Sequence, residues 1–360
     1  MKRRQTRSAS PAMDINPRTL FLGVLFILTV TIGGQFYYSQ SDVINRLEHS
    51  TLNRVDAVAY EIEAQFIRDY HKVRFLHATP PVAGLVRSIS NGDIDPSDNT
   101  TTEQWKQRLE TIFRAHLENN PETLQARYLT VADDWAEIVR VQRENNTVEV
   151  VPESGLQRKK GRDYIDVLAY LKPGGFYLSD IELNKEYGAV QYPHKPVYRL
   201  AIPVYDKRDE IFGAVILNFD AEALTTNIAR MIEEPSQLYL SDHDGHILQS
   251  PEHGQAYSFE FSSPVFWSDL YTSTQVLDSE RLIEASSKTD GEGFFLLQRR
   301  IMLPGSNGER YLRIAVATPV SYVERTALSE TLRFSGAAII ISLVLMTLFY
   351  FYQRSIRKTL

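Results

Sequence analysis

The chain has 360 residues, a formal net charge of −6 and no cysteine. The absence of cysteine excludes thiol catalysis, disulfides and zinc sites built on cysteine. An acidic chain is poorly suited to bind nucleic acid or anionic lipid surfaces, so we expect no nucleic-acid partner.

Two apolar runs stand near the ends of the chain. The first, Leu20–Tyr38, holds 19 residues without a formal charge, and the second, Ser335–Tyr352, holds 18. A hydrocarbon core about 30 Å thick needs roughly 20 helical residues, so each run predicts a transmembrane helix. A buried core helix would carry polar residues on one face, and a cleaved signal peptide would have a shorter apolar stretch. Neither alternative fits.

The charges that flank these runs predict the orientation of the chain. Lysine and arginine concentrate on the cytoplasmic side of membrane helices. Here they precede the first run and follow the second, at Lys2, Arg3, Arg4, Arg7, Arg18, Arg354, Arg357 and Lys358. We therefore expect a two-pass protein of the bacterial inner membrane, with cytoplasmic tails at residues 1–19 and 353–360. Residues 39–334 would then lie in the periplasm.

Residues Ser41–His77 predict one long helix that leaves the first span directly. Apolar residues recur mostly three or four positions apart, and Pro80–Pro81 mark the end of the pattern. At 1.5 Å per residue the helix is about 55 Å long, which is typical of a spine or stalk. The alternative is an ordinary packing helix, although most helices in globular proteins are shorter.

After a polar loop and a helix at Glu103–Leu117, the chain changes to short β-rich runs. A short helix is predicted at Asp163–Leu171. Strands are predicted at Leu124–Ala132, Glu137–Arg143, Thr147–Val151, Phe176–Leu183, Pro196–Val204 and Ile211–Phe219. We assign residues 39–232 to the long helix and a first antiparallel-sheet module.

A second, smaller cycle of strands begins near Glu233. Its strands are predicted at Gln237–Ser241, His246–Gln249, Phe294–Leu303 and Arg310–Thr318. Helix Val320–Arg333 then continues into the second span without a breaker, so we assign residues 233–334 to a second module and its exit helix. The predicted fold class is α+β, with two tandem antiparallel-sheet modules on a long N-terminal helix between two transmembrane helices.

Several strings between Gln125 and Leu224 carry a family resemblance. They read QARYLTVADDWAEIVRVQR, VVPESGLQRKKGRDY, FYLSDIELNKEYG and HKPVYRLAIPVYDKRDEIFGAVILNFD. This region resembles the double Cache family, tandem PAS-like sensor domains that lie outside the membrane in bacterial histidine kinases, diguanylate cyclases and chemoreceptors. The resemblance implies two PAS-like modules in series, with a ligand bound in the membrane-distal one.

The motifs of common enzyme classes are missing from the chain. It contains no G-x-S-x-G, no H-E-x-x-H and no G-x-x-x-x-G-K, so we expect neither a catalytic domain nor a cofactor. The string Asp242–His246 offers metal ligands, but Ile247 stands where a calcium loop needs glycine. Asp-Gly between two strands is first of all a turn signal. We interpret the string as a turn and expect no metal site.

Strand alternation selects two arginines of the first module. Period two places Arg140 beside Ile138 on one face of its strand, and it places Arg199 beside Val197 and Ala201. An arginine among apolar neighbours on a sheet is usually either paired with a carboxylate or positioned to bind one. The alternative to a ligand role is therefore structural pairing with Glu137, Asp180 or Glu182.

The resemblance adds three further candidates. In PAS-like modules the elements between these strands wrap over the sheet, and here they supply two tyrosines and an aspartate. The predicted ligand-binding residues are Arg140, Tyr164, Tyr177, Asp180 and Arg199. Two cations, two phenols and one acceptor suit a small carboxylate or amine-bearing metabolite.

These features predict a homodimeric receptor that binds a small solute in the distal module and passes a conformational shift through the second span. The tail after that span is too short to fold, so a cytoplasmic output domain is expected in a partner or a longer protein. The alternative is a structural protein of the polysaccharide chain-length regulator type, which shares two spans and a large periplasmic region. Such proteins resemble long helical bundles. An extracytoplasmic hydrolase lacks support, because no nucleophile or metal constellation is present.

Overall fold

The computed structural model of the chain describes residues 17–186, 188–275, 280–304 and 308–359. Contacts between Cα atoms divide the chain into two units. One unit consists of the residues up to His49 together with those from Val320 onward, and the other runs from Ser50 to Pro319.

The first unit holds the apolar part of helix α1 (Pro17–His77) and the whole of helix α8 (Val320–Thr359). Each helix contains a stretch that is long and apolar enough to cross a membrane. Large side chains on these stretches are more than half exposed, among them Phe26, Ile27, Ile340 and Leu345. Such a surface is costly in water and suits lipid. The structure also confirms that the exit helix and the second apolar run form one unbroken helix.

The remainder of α1 is the spine of the second unit. Its fully buried apolar residues include Val55, Val58, Ile62, Val73 and Leu76, which share one helical face. The helix ends at His77, shortly before Pro80–Pro81, because a proline ring cannot donate a backbone hydrogen bond within a helix. The predicted long helix is confirmed.

Two shorter helices follow, α2 (Pro80–Ser90) and α3 (Thr102–Asn119). Helix α2 was not predicted, because the two prolines were interpreted only as a stop signal. Proline fits the first turn of a helix, where the N–H groups have no intrahelical acceptor. A Cβ atom at Gly84 would lie 2.4 Å from the Trp105 ring, so glycine permits the close packing of α2 on α3.

The strands of the first sheet are β1 (Thr123–Thr130), β2 (Ala136–Glu144), β3 (Thr147–Val150), β4 (Tyr177–Leu178), β5 (Glu182–Leu183), β8 (Pro196–Tyr205) and β9 (Ile211–Asp220). The sheet is antiparallel, with the order β3-β2-β1-β9-β8-β4 and with β5 also paired to β8. Between them lie the single turn α4 (Ala132–Trp135), helix α5 (Asp163–Leu168) and the small ribbon β6 (Lys185–Glu186) with β7 (Ala189–Val190).

One strand prediction in this sheet is wrong in detail. The continuous strand expected over Phe176–Leu183 is divided into β4 and β5. At the break, the Ser179 hydroxyl accepts the backbone N–H of Arg199 at 2.8 Å and donates to the Asp180 carbonyl oxygen at 2.7 Å. A side chain thus replaces a main-chain acceptor there, which strand periodicity does not reveal.

The two faces of the first sheet differ in chemistry. One face packs on α1 through residues such as Tyr128, Val139 and Tyr198. The other face is apolar in one half, where Leu129, Ala201, Ala214 and Ile216 pack against Trp135 and the α5 residues Tyr164, Ile165 and Leu168. Its other half is polar.

The strands of the second sheet are β10 (Gln237–Ser241), β11 (Ile247–Gln249), β12 (Tyr271–Thr272), β13 (Ile283–Ser287), β14 (Gly293–Met302) and β15 (Tyr311–Pro319). The sheet is also antiparallel, with the order β11-β10-β15-β14-β13-β12. Helix α6 (Ala221–Ala229) connects the two sheets, and α7 (Trp267–Leu270) precedes β12. A buried aromatic cluster packs on one face of this sheet, with Tyr239, Trp267, Tyr271 and Phe294.

These elements confirm the α+β fold with a long N-terminal helix and two antiparallel sheets. The described strands are not those of the long helical bundle expected of a chain-length regulator, so that alternative is wrong as a description of the fold.

Candidate functional site

The polar half of the first sheet is built from neighbouring strands in register. Arg199 on β8 lies opposite Asn218 on β9, and Asn218 lies opposite Gln125 on β1. Arg127 on β1 lies opposite Arg140 on β2. Because successive side chains of a strand point to opposite faces, Gln125 and Arg127 share the face that does not pack on α1. All five side chains are nearly or fully buried.

A cavity of about 190 Å³ lies over this polar half, and we call it the first cavity. Four of the five predicted ligand residues line it, namely Tyr164, Tyr177, Asp180 and Arg199. Among the residues whose side chains the structure describes, its lining holds two carboxylates and five cations, namely Asp180 and Glu182 with Arg127, Lys159, Arg162, Lys185 and Arg199. Burial raises the pKa of the Tyr177 phenol, so its hydroxyl stays protonated and can donate a hydrogen bond at neutral pH.

Arg140 lies elsewhere. It lines a neighbouring cavity of about 360 Å³, which we call the second cavity. Contrary to the expectation that they share one site, Arg140 and Arg199 line different cavities. In the strand order β1 and β9 stand between β2, which carries Arg140, and β8, which carries Arg199. Strand alternation correctly predicted the face of the sheet on which each arginine lies. It did not predict that two other strands separate the strands that carry them.

One buried carboxylate joins the cations of the two cavities. Glu137 Oε1 lies 3.5 Å from Arg127 Nη1 and 3.4 Å from Lys159 Nζ, and Glu137 Oε2 lies 3.7 Å from Arg140 Nη1. The same carboxylate accepts the backbone N–H of Gln157 at 3.0 Å. All four charged residues are 5% exposed or less. We call Glu137, Arg127, Lys159 and Arg140 the Glu137 cluster.

A chain of ion pairs leads from Arg199 towards the second sheet. Arg199 pairs closely with Glu182, whose other oxygen lies 3.8 Å from Lys185. Lys185 in turn lies 2.8 Å from Glu260 in the segment between β11 and β12. Both Arg140 and Arg199 therefore lie close to protein carboxylates, as the alternative of structural pairing predicted. Each of them also lines a cavity.

Asp180 is held by a residue that precedes β15. Arg310 Nη2 donates to Asp180 Oδ1 at 2.9 Å, and Arg310 Nη1 donates to the Leu178 carbonyl oxygen at 2.9 Å. The Arg310 guanidinium also lies 5.6 Å from the centre of the Tyr177 ring. A residue of the second sheet's hairpin thus contacts two side chains that line the first cavity.

Sequence reasoning missed several residues of this site. Arg127 shares a face with Gln125 and Leu129, so the alternation argument applied to β2 and β8 would also have found it on β1. Lys159 and Arg310 lie in irregular segments, where no periodic signal exists. Glu137 was considered only as a structural partner.

The Asp242–His246 string forms the predicted turn. The Gly245 N–H donates to the Asp242 carbonyl at 3.1 Å, and Gly245 has a φ of +84°, which favours glycine. The Asp242 carboxylate accepts the backbone N–H groups of Asp244 and His246 and contacts His246 Nδ1 at 2.8 Å. Asp242, Asp244 and His246 each offer a ligand atom within 4.8 Å of the others, and the turn accounts for that proximity.

A scan against protein-family models gives no match, and a search of curated protein sequences gives none either. Solved structures do match. A domain described as part of a sensory box/GGDEF family protein from Vibrio parahaemolyticus is 17% identical, with a TM-score of 0.58 over 79% of this chain and 99% of that one. The extracellular domain described as that of histidine kinase vpHK1S-Z8 is 15% identical, with a TM-score of 0.55 over 80% and 96%.

A third match is the periplasmic sensory domain of the Campylobacter jejuni chemoreceptor Tlp1. It is 10% identical, with a TM-score of 0.50 over 78% of this chain and 98% of that one. At these identities the likeness establishes the fold. The chain is therefore similar in fold to extracytoplasmic sensory domains, as the double Cache resemblance implied.

Proposed function

We propose that this chain is the extracytoplasmic sensing region of a transmembrane receptor, and that it binds a small anionic solute in the first cavity. One observation carries the proposal, namely that cationic side chains outnumber carboxylates among the described residues that line that cavity. A ligand carboxylate there would accept charge-assisted hydrogen bonds, whereas a ligand ammonium group would face repulsion. Of the two ligand classes that the sequence suggested, the geometry therefore favours the carboxylate.

The existing ion pairs support the same choice. Arg310 engages Asp180, and Arg199 and Lys185 flank Glu182, so both lining carboxylates already have protein cations. Behind the cavity, Glu137 is shared by three buried cations. In our proposal, Arg199, Tyr164 and Tyr177 contact the anion, and Asp180 connects the site to the second sheet.

The contacts of Arg310 suggest how ligand binding in the first cavity could be transmitted to the membrane-spanning helix α8. We propose that residues 39–232 form the membrane-distal ligand module and residues 233–334 the proximal module with its exit helix. Arg310 bonds Asp180 and directly precedes β15, and α8 begins at the residue after β15 ends. A ligand that moves Asp180 would shift this arginine and the strand that leads into α8. The ligand can shift the equilibrium between two conformations of the receptor only to the extent that its affinity differs between them.

We further propose that α1 and α8 span the bacterial inner membrane, with residues 39–334 in the periplasm. The basic flanks of the two exposed apolar stretches support this orientation. An alkaline phosphatase reporter joined after residue 200 is expected to be active, and one joined after residue 360 inactive. Activity at the second junction would overturn the orientation.

The receptor is proposed to work as a homodimer that signals to a cytoplasmic output domain or partner. On α1, Tyr60, Ile67 and Phe75 are each more than half exposed and lie seven and eight residues apart, on one helical stripe. Because the chain has no cysteine, the variant Ile67→Cys would carry a unique thiol. Disulfide cross-linking between two copies is expected for this variant, and a failure to cross-link would argue against pairing through α1.

A ligand screen on the full chain in detergent or nanodiscs tests the proposed function. Matched series of carboxylates, amines and uncharged analogues are added at increasing concentration, and the midpoint of thermal unfolding is measured. A ligand that binds only the folded state raises this midpoint by mass action. We expect stabilisation by some carboxylates and none by the amines.

The matched variants are Arg199→Gln, which removes a cation from the cavity, and Arg208→Gln, which removes an exposed cation from the β8–β9 turn. The first variant is expected to weaken the carboxylate response about 10- to 100-fold, because hydrogen bonds to charged groups are worth about 1.5–3 kcal/mol. The second is expected to leave it unchanged. Stabilisation by amines instead of carboxylates would refute the proposal.

A further inference from the structure

A third cavity, of about 660 Å³, lies beside the C-terminal end of α1, and we call it the α1–α2 groove. Small-molecule sites are mostly apolar and have volumes of about 300–1,000 Å³. The walls of the groove are the end of α1, helix α2, the last residues of β8 and the loop at residues 173–175. None of the described residues that line it also lines the first or the second cavity. Its floor is apolar, with Val82, Val86, Ile202 and Val204 each 7% exposed or less.

Several polar groups of the α1–α2 groove are already engaged within the protein. The hydroxyls of Thr79 and Tyr205 each donate to a main-chain carbonyl oxygen at 2.6 Å. His77 Nε2 lies 3.1 Å from the Pro203 carbonyl oxygen. Burial lowers the pKa of the His77 imidazole, so this ring is neutral at pH 7. These groups therefore bring no charge to the groove.

The charged side chains of the groove differ in their partners. Arg87 pairs with a buried aspartate of the loop after α2 at 2.8 Å, and Asp206 pairs with Arg208 at 3.1 Å. Arg74 and Lys207 are exposed, and neither forms an ion pair with a residue that the structure describes. The groove thus combines an apolar floor with two cations that remain available to a ligand.

The neighbouring edge of β8 argues against a peptide in the groove. The pairing of β8 with β4 ends at Ala201, and the groove lies beside the residues that follow. A peptide that adds a strand to a sheet depends on the main-chain donors and acceptors of the exposed edge. Pro203 has no N–H group, and its carbonyl oxygen is already in contact with His77. A ligand that depends on apolar contacts suits this edge better than one that needs a ladder of hydrogen bonds.

We propose that the α1–α2 groove binds a small amphipathic monoanion, such as a medium-chain fatty acid. The apolar tail lies on the floor of the groove, and the carboxylate lies near Arg74 and Lys207. Burial of the tail supplies most of the affinity. The two cations favour a carboxylate over an alcohol or an ammonium group. This site is separate from the first cavity, so the inference does not depend on the proposed function.

Protection of a unique thiol tests the location of the ligand. The chain has no cysteine, and Ala83 is an exposed residue of α2 that lines the groove. The rate at which a maleimide reacts with Ala83→Cys is measured for the full chain in nanodiscs at increasing decanoate concentration. Saturating decanoate is expected to slow the reaction about fivefold or more, because the bound ligand covers the thiol. Ser90→Cys, at the exposed end of α2 and outside the groove, is the control and is expected to react at an unchanged rate.

Analogues of decanoate test the chemistry of the ligand on Ala83→Cys. Octanoate has two methylene groups fewer, so the concentration for half-maximal protection is expected to rise roughly tenfold. Decanol and decyltrimethylammonium keep a ten-carbon tail without the carboxylate, and each is expected to need at least about tenfold more than decanoate.

Charge variants in the same background test the two sources of cations. Arg74→Gln is expected to raise the decanoate concentration for half-maximal protection about fivefold or more. Arg114→Gln, which removes an exposed cation from α3, and Arg199→Gln, which removes a cation from the first cavity, are expected to leave it unchanged.

Four results would overturn the proposal: no protection of Ala83→Cys, equal protection of Ser90→Cys, equal protection by decyltrimethylammonium, or a loss of protection caused by Arg199→Gln. The last would place the carboxylate in the first cavity. If Ala83→Cys does not fold, decanoate with a terminal diazirine is photocross-linked to the unmodified chain and the site of attachment is read by mass spectrometry. Attachment is expected within residues 70–87, 173–175 or 202–207. Attachment only elsewhere would contradict the groove.

Discussion

Replacing Glu137 with glutamine is expected to destabilise the second unit by about 3–5 kcal/mol. The substitution keeps the shape of the side chain but leaves Arg127, Lys159 and Arg140 without their shared counter-charge in a buried setting. The midpoint of thermal unfolding, followed by tryptophan fluorescence of the full chain, is expected to fall by roughly 10 °C.

The matched control is Glu210→Gln. Glu210 pairs with Arg208 at 2.7 Å, but both side chains are largely exposed, and such a pair is worth about 0–1 kcal/mol. A bound carboxylate is also expected to stabilise Glu137→Gln more than the unmodified chain, since the substitution removes one negative charge that would repel it. If Glu137→Gln is as stable as the control and binds anions no better than the unmodified chain, the cations of the Glu137 cluster do not contribute to anion binding.

Inserting two glycines between Leu328 and Ser329 is expected to abolish the ligand-dependent output of a chimera in which the chain is fused after Leu360 to a cyclase. The insertion falls within α8, which is one unbroken helix from Val320 to Thr359. A rigid helix can transmit a displacement of about 1–2 Å, whereas a flexible joint absorbs it. Each glycine also costs about 1 kcal/mol of helix propensity.

Ligand affinity is expected to survive this insertion within about twofold, because the cavities belong to the other unit. The control is the same insertion between Lys207 and Arg208, in the exposed β8–β9 turn, compared at equal expression. It is expected to keep the response. A full response from the α8 variant would show that the signal does not travel through this helix.

Periodicity and the positions of breaker residues were sufficient to predict the long helix, the exit helix and most strands. These elements depend on local patterns of three to four residues in helices and two in strands. Helix α2 was missed because proline both ends one helix and suits the first turn of the next. β12 has two residues and depends on its pairing with β13, so it has no pattern of its own.

The site was predictable only in part, for a related reason. Alternation found the face on which Arg199 and Arg140 lie, since that depends on neighbours along one strand. It did not find that two strands separate them, because strand order is set by tertiary contacts. Nor did it find Arg310, which meets Asp180 only through the packing of the second sheet's hairpin against β4.

The most direct measurement is the output of the unmodified chimera and of its Arg199→Gln variant, titrated with the carboxylate that stabilises the full chain best. We expect a ligand-dependent change of output in the unmodified receptor. In Arg199→Gln the midpoint is expected to shift about 10- to 100-fold to higher ligand concentration, and in Arg208→Gln it is expected not to shift. An unchanged midpoint in Arg199→Gln, or an output that no bound carboxylate alters, would contradict the claim that this cavity senses an anion for the receptor.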